Sequence, residues 1–280
     1  MLFMWFIEAL KALFIGIVQG ITEWLPVSST GHMILFDELV KLGGSEEFKE
    51  MFMVVIQLGS ILAVAALYFR KLNPFALSKT KEEKKSTVTL WFKVVVGAIP
   101  AAIIGFLLDD WIDAHFFNYL VVAVALIVYG IFFILIERFK DKSQFKVQSV
   151  DEITYKDAFK IGCFQVLSLI PGTSRSGSTI LGGMLSGVSR VASAEFSFFM
   201  AIPIMLGASC LKILKFFLDG NILSGNEILI LSIGIIVAFL VSLAAIKFLM
   251  EFVKRHSFES FGWYRIVLGI IIVIYYFVTK

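Results

Sequence analysis

Residues 19–34 read QGITEWLPVSSTGHMI, an apolar helical segment that is broken by proline, three hydroxyl side chains and glycine. A break of the same kind, IPGTSRSGS, occupies residues 170–178. Kinked spanning helices would expose the freed backbone groups to lipid, whereas irregular backbone at membrane depth is tolerated only where protein or water surrounds it. Residues 4–40 and 159–190 are therefore predicted to form re-entrant helix-turn-helix hairpins.

The composition of the 280 residues is that of a membrane protein. Hydrophobic residues make up 59% and charged residues 17%, whereas soluble domains contain about 25% charged residues. Six further segments have roughly the 20 apolar residues that a transmembrane helix needs: 51–69, 90–108, 119–137, 193–218, 227–249 and 261–279. The predicted fold is an all-α polytopic membrane protein with six transmembrane helices and two re-entrant hairpins.

Other bulk features exclude two classes of function. The net charge is only +3 and the basic residues lie in loops beside apolar segments, so nucleic acid binding has no support. Cys163 and Cys210 form no C-x-x-C pattern. A cysteine-based metal site is therefore not indicated, and both residues are predicted to be small buried hydrophobes.

The charges of the loops predict how the chain is oriented. The loops at 70–93, 138–160 and 247–256 are basic, and positive charge favours the cytoplasmic side. The loops at 42–50, 109–118 and 219–227 carry mainly acidic residues, which fits the outer face. The six spans connect these loops in strict alternation. The first hairpin is therefore expected to enter from the outside and the second from the cytoplasm.

The two halves of the chain, residues 1–137 and 159–279, share one plan in opposite orientations, a hairpin followed by three spans. This predicts an inverted-topology repeat within one membrane domain, 1–280, joined by a cytoplasmic loop at 138–158. At a constant offset of 146 residues, Gly16, Gln19 and Gly31 recur as Gly162, Gln165 and Gly177. The repeat is expected to bring the two polar turns face to face near the membrane midplane.

The second turn has the composition of a phosphate-binding loop. Its polar and glycine residues are Gly172, Thr173, Ser174, Arg175, Ser176 and Gly177. Arginine is always charged, is costly inside a membrane and binds phosphate oxygens through two parallel hydrogen bonds. Glycine-rich turns at helix N-termini expose backbone N–H groups to anions, and hydroxyls add neutral donors. This turn is predicted to bind a diphosphate.

The first turn supplies acid, base and further hydroxyl groups. Helical spacing places Gln19 and Glu23 on one face, directed toward a turn that contains Ser28, Ser29, Thr30 and His32. Glu23 could hold a divalent cation or act as a base, and His32 could act as nucleophile or proton donor. Simpler structural roles remain open, namely a Glu23–Arg175 ion pair and a helix-end hydrogen bond from His32. Gln57 and Glu195 are weaker candidates, for which helix packing is an equally good interpretation.

At these turns the sequence resembles the bacterial undecaprenyl pyrophosphate phosphatases, also known as bacitracin resistance proteins. The similarity extends over essentially the whole chain and includes further long blocks in the same order. These blocks are VVIQLGSILAV, IGCFQVLSLIPGTSRSGSTILGGMLSGVSR and EFSFFMAIP. Motifs of this length are far more specific than a single glycine pattern.

The resemblance implies a reaction, a cofactor and a location. The reaction is hydrolysis of undecaprenyl diphosphate to undecaprenyl phosphate, which recycles the lipid carrier of cell-wall synthesis and confers bacitracin resistance. A divalent cation, Mg²⁺ or Ca²⁺, is implied. The expected location is the bacterial cytoplasmic membrane, with the active site open to the outer face.

The resemblance also implies residue roles. Arg175 and the hydroxyls of Ser174 and Ser176 are expected to hold phosphate, and Glu23 to bind the metal or transfer a proton. Gln19 stands where some members of the family have a second acid, so Glu23 must carry the carboxylate role alone. The nucleophile stays open between His32, Ser29 and water. A covalent step on His32 needs no separate base, whereas Ser29 would need Glu23 or His32 within hydrogen-bond reach.

Two other classes of function compete with a phosphatase. Inverted repeats with broken helices also build secondary transporters, so a polyprenyl-phosphate flippase or an anion transporter is the main alternative. A transporter needs binding groups but no nucleophile with a base, and a purely structural or signalling membrane protein leaves both unexplained. A protein that dephosphorylates its lipid and also moves the product across the membrane is compatible with these features, as is a homodimer.

Overall fold

Helices account for nearly all of the described chain, which in this computed structural model comprises residues 2–139 and 145–279. The twelve α-helices there are α1 Leu2–Thr22, α2 Ser29–Val40, α3 Glu46–Val55, α4 Gln57–Leu67, α5 Phe69–Leu72, α6 Lys81–Phe116, α7 Tyr119–Phe139, α8 Tyr155–Val166, α9 Arg175–Leu185, α10 Arg190–Leu218, α11 Gly225–Arg255 and α12 Glu259–Thr279. The described residues form no β-strand, only an isolated bridge between Val147 and Val188. The all-α prediction is confirmed.

Seven stretches of the described residues are long and apolar enough to cross a membrane. Six of them overlap the six predicted spans, which confirms a multi-pass membrane protein. The seventh, Trp5–Thr22, is the first arm of the first predicted hairpin. Its 18 residues extend about 27 Å, close to the hydrocarbon thickness of about 30 Å. The corresponding arm of the second hairpin, α8, has 12 residues and extends only about 18 Å.

Both predicted hairpins contain two helices joined by a short turn. The turn between α1 and α2 and the turn between α8 and α9 end on Ser28 and Ser174, which have φ angles of 71° and 74°. No other non-glycine residue of the described chain has a positive φ, a conformation that costs about 1–3 kcal/mol. Each serine Oγ accepts a hydrogen bond from the backbone N–H three residues later, Gly31 at 3.2 Å and Gly177 at 3.1 Å. The two helix starts, 146 residues apart, are built alike.

Close contacts between helices also recur in pairs. A side chain on Gly16 would meet the carbonyl oxygen of Gly234 in α11, and one on Gly162 would meet that of Gly97 in α6. These contacts let α1 pack against α11 and α8 against α6 without intervening side chains, as is common between membrane helices. A repeat would make these two helix pairs equivalent, because α1 would correspond to α8 and α11 to α6.

Two of the spans are irregular near the turns. The predicted span at 51–69 begins earlier and is divided into α3 and α4 by a break at Ile56, where the N–H of Gly59 bonds to the Ile56 carbonyl at 3.1 Å instead of continuing the α-helical pattern. In α10, Pro203 lies inside the helix, where it removes a backbone hydrogen bond. Both irregularities lie beside residues that line the site described below.

Some expectations from the sequence are wrong in detail. Helix α6 runs from Lys81 to Phe116, so much of the predicted loops at 70–93 and 109–118 is helical, in keeping with the high helix propensity of lysine and glutamate. Cys163 and Cys210 are exposed rather than buried. The surface of a membrane protein that faces lipid is as apolar as its core, so an apolar neighbourhood does not distinguish the two locations.

Candidate functional site

The two polar turns enclose one cavity of about 190 Å³. The first turn and α2 contribute Glu23, Ser29 and Thr30, and the second turn and α9 contribute Ser168, Gly172, Ser174 and Arg175. Gln57 of α4 and Ile204, Met205 and Ala208 of α10 complete the lining. The cavity thus has a polar side made by both turns and an apolar side made mainly by one helix.

Glu23 is the carboxylate of the cavity and is only 7% exposed. Its Oε1 accepts a hydrogen bond from Arg175 Nη2 at 2.9 Å. Its Oε2 accepts from Gln19 Nε2 at 3.0 Å and from the hydroxyl of Ser29 at 3.3 Å. The Glu23–Arg175 ion pair that was left open as a structural alternative is therefore present, and it joins the two turns.

Arg175 is held so that one edge of its guanidinium group is only partly used. Nη1 donates to the carbonyl and hydroxyl oxygens of Ser197, at 2.8 and 3.3 Å, and the group lies over the Trp24 ring at 5.6 Å. Nη2 contacts Glu23, while the buried Nε has no hydrogen-bond partner among the described residues. Nε and Nη2 form the edge that binds two oxygens of one phosphate. Among the described residues, Glu23 is the one hydrogen-bond partner on this edge.

Two helix N-termini face the same cavity. Ser29 and Thr30 open α2, and Ser174 and Arg175 begin α9. The N-terminus of a helix carries a partial positive charge and unpaired N–H groups, so both ends favour an anion. The backbone of Gly172, with φ of 91°, approaches Val122 too closely for any side chain. Together with Arg175, these groups outweigh the single negative charge of Glu23.

His32 lies away from this cavity. Its Nδ1 is 2.7 Å from the Ser28 carbonyl, which can only accept a hydrogen bond, so Nδ1 carries a proton. In the neutral ring Nε2 then accepts from the hydroxyl of Tyr264, also at 2.7 Å, and the two rings stack. Both nitrogen atoms are engaged, and His32 does not line the cavity.

The remaining candidates from the sequence do not line the cavity, and most of them make hydrogen bonds within or between the two turns. Ser28 caps α2, and the N–H of Gly177 bonds to the cap of α9. Ser176 is buried, and its hydroxyl lies 3.3 Å from the Leu25 carbonyl of the first turn and 3.2 Å from the hydroxyl of Ser174. Thr173 is also fully buried. The structure thus brings Glu23, Ser29, Thr30, Gly172, Ser174 and Arg175 to the cavity, with Gln19 one contact behind them.

Arg265 of α12 is the main residue that the sequence analysis missed. It is fully buried, and its guanidinium donates to the carbonyls of Gly172 and Thr173, both at 2.9 Å, and to that of Pro26 at 3.2 Å. It therefore ties the two turns together. An arginine inside the apolar segment 261–279 was itself a signal, because ionisable groups in membrane spans are rarely without a role.

Replacing Arg265 by methionine is expected to destabilise the protein by about 3 kcal/mol or more, because four buried carbonyls lose a charged donor. These carbonyls are those of Pro26, Gly172, Thr173 and Leu126. The matched control is Arg138→Met, whose ion pair with Glu259 is exposed and is expected to contribute less than about 1 kcal/mol. Thermal unfolding of both variants in detergent measures the difference. Equal unfolding temperatures for Arg265→Met and the unmodified protein would contradict the assigned role.

The oxygen donors of the cavity fit a divalent cation that arrives with a phosphate ligand. The described residues contain no group of three or more His, Cys, Asp or Glu side chains able to hold a metal by themselves. Glu23, the Ser29 hydroxyl and the Gln57 amide are hard oxygen ligands on one cavity. Mg²⁺ is commonly bound by one or two carboxylates and completed by substrate phosphates and water. The sequence also predicts Gln19 as a metal ligand beside Glu23; in this structure its amide N–H donates to Glu23 at 3.0 Å, and its part in metal binding stays a prediction.

The fold and the cavity define a class of protein, a multi-pass membrane protein with a partly buried polar cavity made by two broken-helix turns. Residues 12–271 match the family model described as "Bacitracin resistance protein BacA". The chain belongs to this family, and the resemblance drawn from its motifs is confirmed.

Several similar curated proteins are undecaprenyl-diphosphatases by name. The chain is 55% identical to "Undecaprenyl-diphosphatase" of Limosilactobacillus fermentum, over 96% of this chain and 98% of the relative. It is 56% identical to the protein of the same name from Enterococcus faecalis, over 98% and 99% of the two chains. It is 57% identical to "Undecaprenyl-diphosphatase 1" of Clostridioides difficile, over 97% of each. The similarity therefore includes both turns and every span.

Proposed function

We propose that this chain hydrolyses undecaprenyl diphosphate to undecaprenyl phosphate and inorganic phosphate. The observation that carries the proposal is the Arg175 guanidinium edge, which needs to exchange only one contact with Glu23 to bind a phosphate between two helix N-termini. Relatives at 55–57% identity are undecaprenyl-diphosphatases by name. Recycling of a cell-wall lipid carrier and resistance to bacitracin would follow from this activity.

Binding of the terminal phosphate to Arg175 prepares Glu23 for catalysis. The phosphate displaces Glu23 Oε1 from Nη2, while Oε2 stays beside the hydroxyl of Ser29, which lies 3.3 Å from it. Oε2 can then accept the Ser29 proton as a general base. Ser29 is the nucleophile in this proposal because it lines the cavity beside a carboxylate, whereas His32 has both nitrogens engaged elsewhere.

The reaction then proceeds in two balanced steps. Ser29 Oγ forms a bond to the terminal phosphorus as the bond to the bridging oxygen breaks, and undecaprenyl phosphate leaves with that oxygen. The Ser29 proton passes to Glu23, which returns it to the leaving phosphate. In the second step water attacks the phosphoserine, gives its proton to Glu23 and releases inorganic phosphate, and Glu23 reprotonates Ser29. Arg175 and the helix N-termini stabilise the negative charge in both steps.

A divalent cation, Mg²⁺ or Ca²⁺, is part of the proposal. Glu23 Oε1, once released from Arg175, would hold it together with the Gln57 amide oxygen and phosphate oxygens. Bound there, the cation would neutralise charge on the diphosphate. Because only one carboxylate is present, the cation is expected to bind tightly only in the presence of a diphosphate.

The proposal also includes the placement of the chain in the membrane. The paired serine caps and the paired glycine contacts support an inverted repeat of two re-entrant hairpins and six spans. Loop charge supports an orientation with the cavity open to the outer face of the bacterial cytoplasmic membrane. A homodimer stays a prediction. A flippase would need the phosphate-binding groups but not the contact between Ser29 and Glu23, which favours the enzyme.

Phosphate release from undecaprenyl diphosphate by the detergent-purified protein tests the function. The unmodified protein is expected to release phosphate with added Mg²⁺ or Ca²⁺ and to stop when a chelator is added. The matched control is Glu195→Gln, which alters a carboxylate that pairs with Lys71 outside the cavity. It should retain release, whereas Glu23→Gln should lose about 10²–10⁴-fold in rate. Absence of release from folded, unmodified protein would favour the transporter alternative.

A further inference from the structure

The cavity is too small for the whole of the proposed lipid substrate. Its volume of about 190 Å³ is below the roughly 300–1,000 Å³ of pockets that enclose a drug-sized ligand. A diphosphate fits a space of this size beside Arg175, but a chain of many isoprene units does not. The chain must therefore leave the cavity through its wall.

Ala208 is the residue of the cavity wall that is most exposed at the surface of the protein. Among the lining residues only Ala208 is exposed, while the others are buried or intermediate. With Ile204 one turn earlier and Met205, it forms the apolar side of the cavity on α10. This exposed point of the wall, which carries only a methyl side chain, is here called the opening.

Charged residues near Ala208 indicate how deep this opening lies in the membrane. Lys212 lies one turn beyond Ala208 and pairs with exposed Glu50 of α3 at 2.7 Å. Four residues correspond to about 6 Å along a helix, and exposed ion pairs avoid the hydrocarbon layer. Ser209 bonds to the Val54 carbonyl at 3.3 Å, which places it one turn below Glu50. The opening therefore lies just inside the apolar layer, where the phosphate and the chain of a membrane lipid meet.

We propose that the opening at Ala208 is the passage through which the polyprenyl chain of the substrate extends from the cavity into the bilayer, along the Ile204–Ala208 face of α10. The proposal rests on the diphosphatase function proposed above. It assigns the diphosphate to the polar turns and the first isoprene units to α10. A membrane lipid can then enter sideways without leaving the bilayer.

The test narrows the opening with Ala208→Trp and compares it with Gly207→Phe. The control adds a similarly large aromatic group to the neighbouring residue. A Cβ atom added at Gly207 would have no atom within 4 Å, so a side chain fits there. Two quantities are measured for each protein, the KM for undecaprenyl diphosphate and the inhibition constant of inorganic diphosphate, which has the head group but no chain. Release of phosphate by the unmodified protein is established first, so that failure of the proposed function is seen separately.

For Ala208→Trp we expect the KM to rise by at least about tenfold while the inhibition constant of inorganic diphosphate changes by less than about threefold. Gly207→Phe should keep both values within about threefold of the unmodified protein. An unchanged KM in Ala208→Trp would overturn the proposal, because the chain must then leave elsewhere. Equal losses in both variants, or an equal rise in the KM and the inhibition constant of Ala208→Trp, would overturn it too.

Discussion

Replacing Arg175 by alanine is expected to lower kcat/KM for undecaprenyl diphosphate by about 10³-fold or more, the scale seen when a preorganised donor to developing negative charge is lost. Arg175 supplies the positive charge of the cavity, and its Nε–Nη2 edge is the one that can bind two oxygens of a phosphate. Among the residues that the structure describes, no other lysine or arginine lines the cavity to replace it. Phosphate release at varied substrate concentration measures the loss.

Stability must be separated from catalysis, because Arg175 also neutralises buried Glu23. Removal of one partner of a buried ion pair can cost about 3–5 kcal/mol. Arg175→Lys is the matched control, since it keeps the charge beside Glu23 but loses the planar pair of donors. We expect lysine to restore the unfolding temperature but to leave kcat/KM at least about tenfold below the unmodified value. Full recovery of activity by lysine would show that Arg175 acts only as the partner of Glu23.

The features of the fold that sequence could predict have local causes. Proline and clustered hydroxyls broke both apolar segments, and long apolar runs marked the six spans. The positive φ of Ser28 and Ser174 was not predictable, because nothing in serine itself favours that conformation. Nor was the break at Ile56, within VVIQLGS, which contains no proline. Tertiary contacts of the surrounding helices override local preference at these points.

Most residues of the site could be predicted from the sequence, but the contacts between them could not. Glu23, Ser29 and Arg175 follow from residue type within the two turns. The partners that set their roles are remote, since Arg265 lies 239 residues from Pro26 and Tyr264 lies 232 residues from His32. From its type alone, His32 was as good a nucleophile as Ser29. Two structural features distinguish them: the hydrogen bonds of both His32 nitrogens, and the position of Ser29 on the cavity beside Glu23.

Ser29→Ala is expected to abolish formation of a covalent phosphoenzyme and to lower turnover by about 10³-fold or more, as when a nucleophile that acts with a general base is removed. The hydroxyl of Ser29 lies 3.3 Å from Glu23 Oε2 within the cavity. Within the described part of the chain, no second hydroxyl contacts either oxygen of Glu23. Rapid acid quenching of the protein mixed with substrate labelled on its terminal phosphate measures both effects.

His32→Ala is the matched comparison for Ser29→Ala. It removes the hydrogen bond from His32 Nδ1 to the Ser28 carbonyl, which helps to hold the first turn in position. The Ser29 hydroxyl and Glu23 stay in place. Label should therefore still be trapped in His32→Ala, at a reduced rate, and should be stable to acid as phosphoserine is. Acid-labile label that disappears only in His32→Ala would assign the nucleophile to the histidine. Turnover without trapped label in both variants would indicate direct attack by water, with Ser29 and Glu23 orienting it.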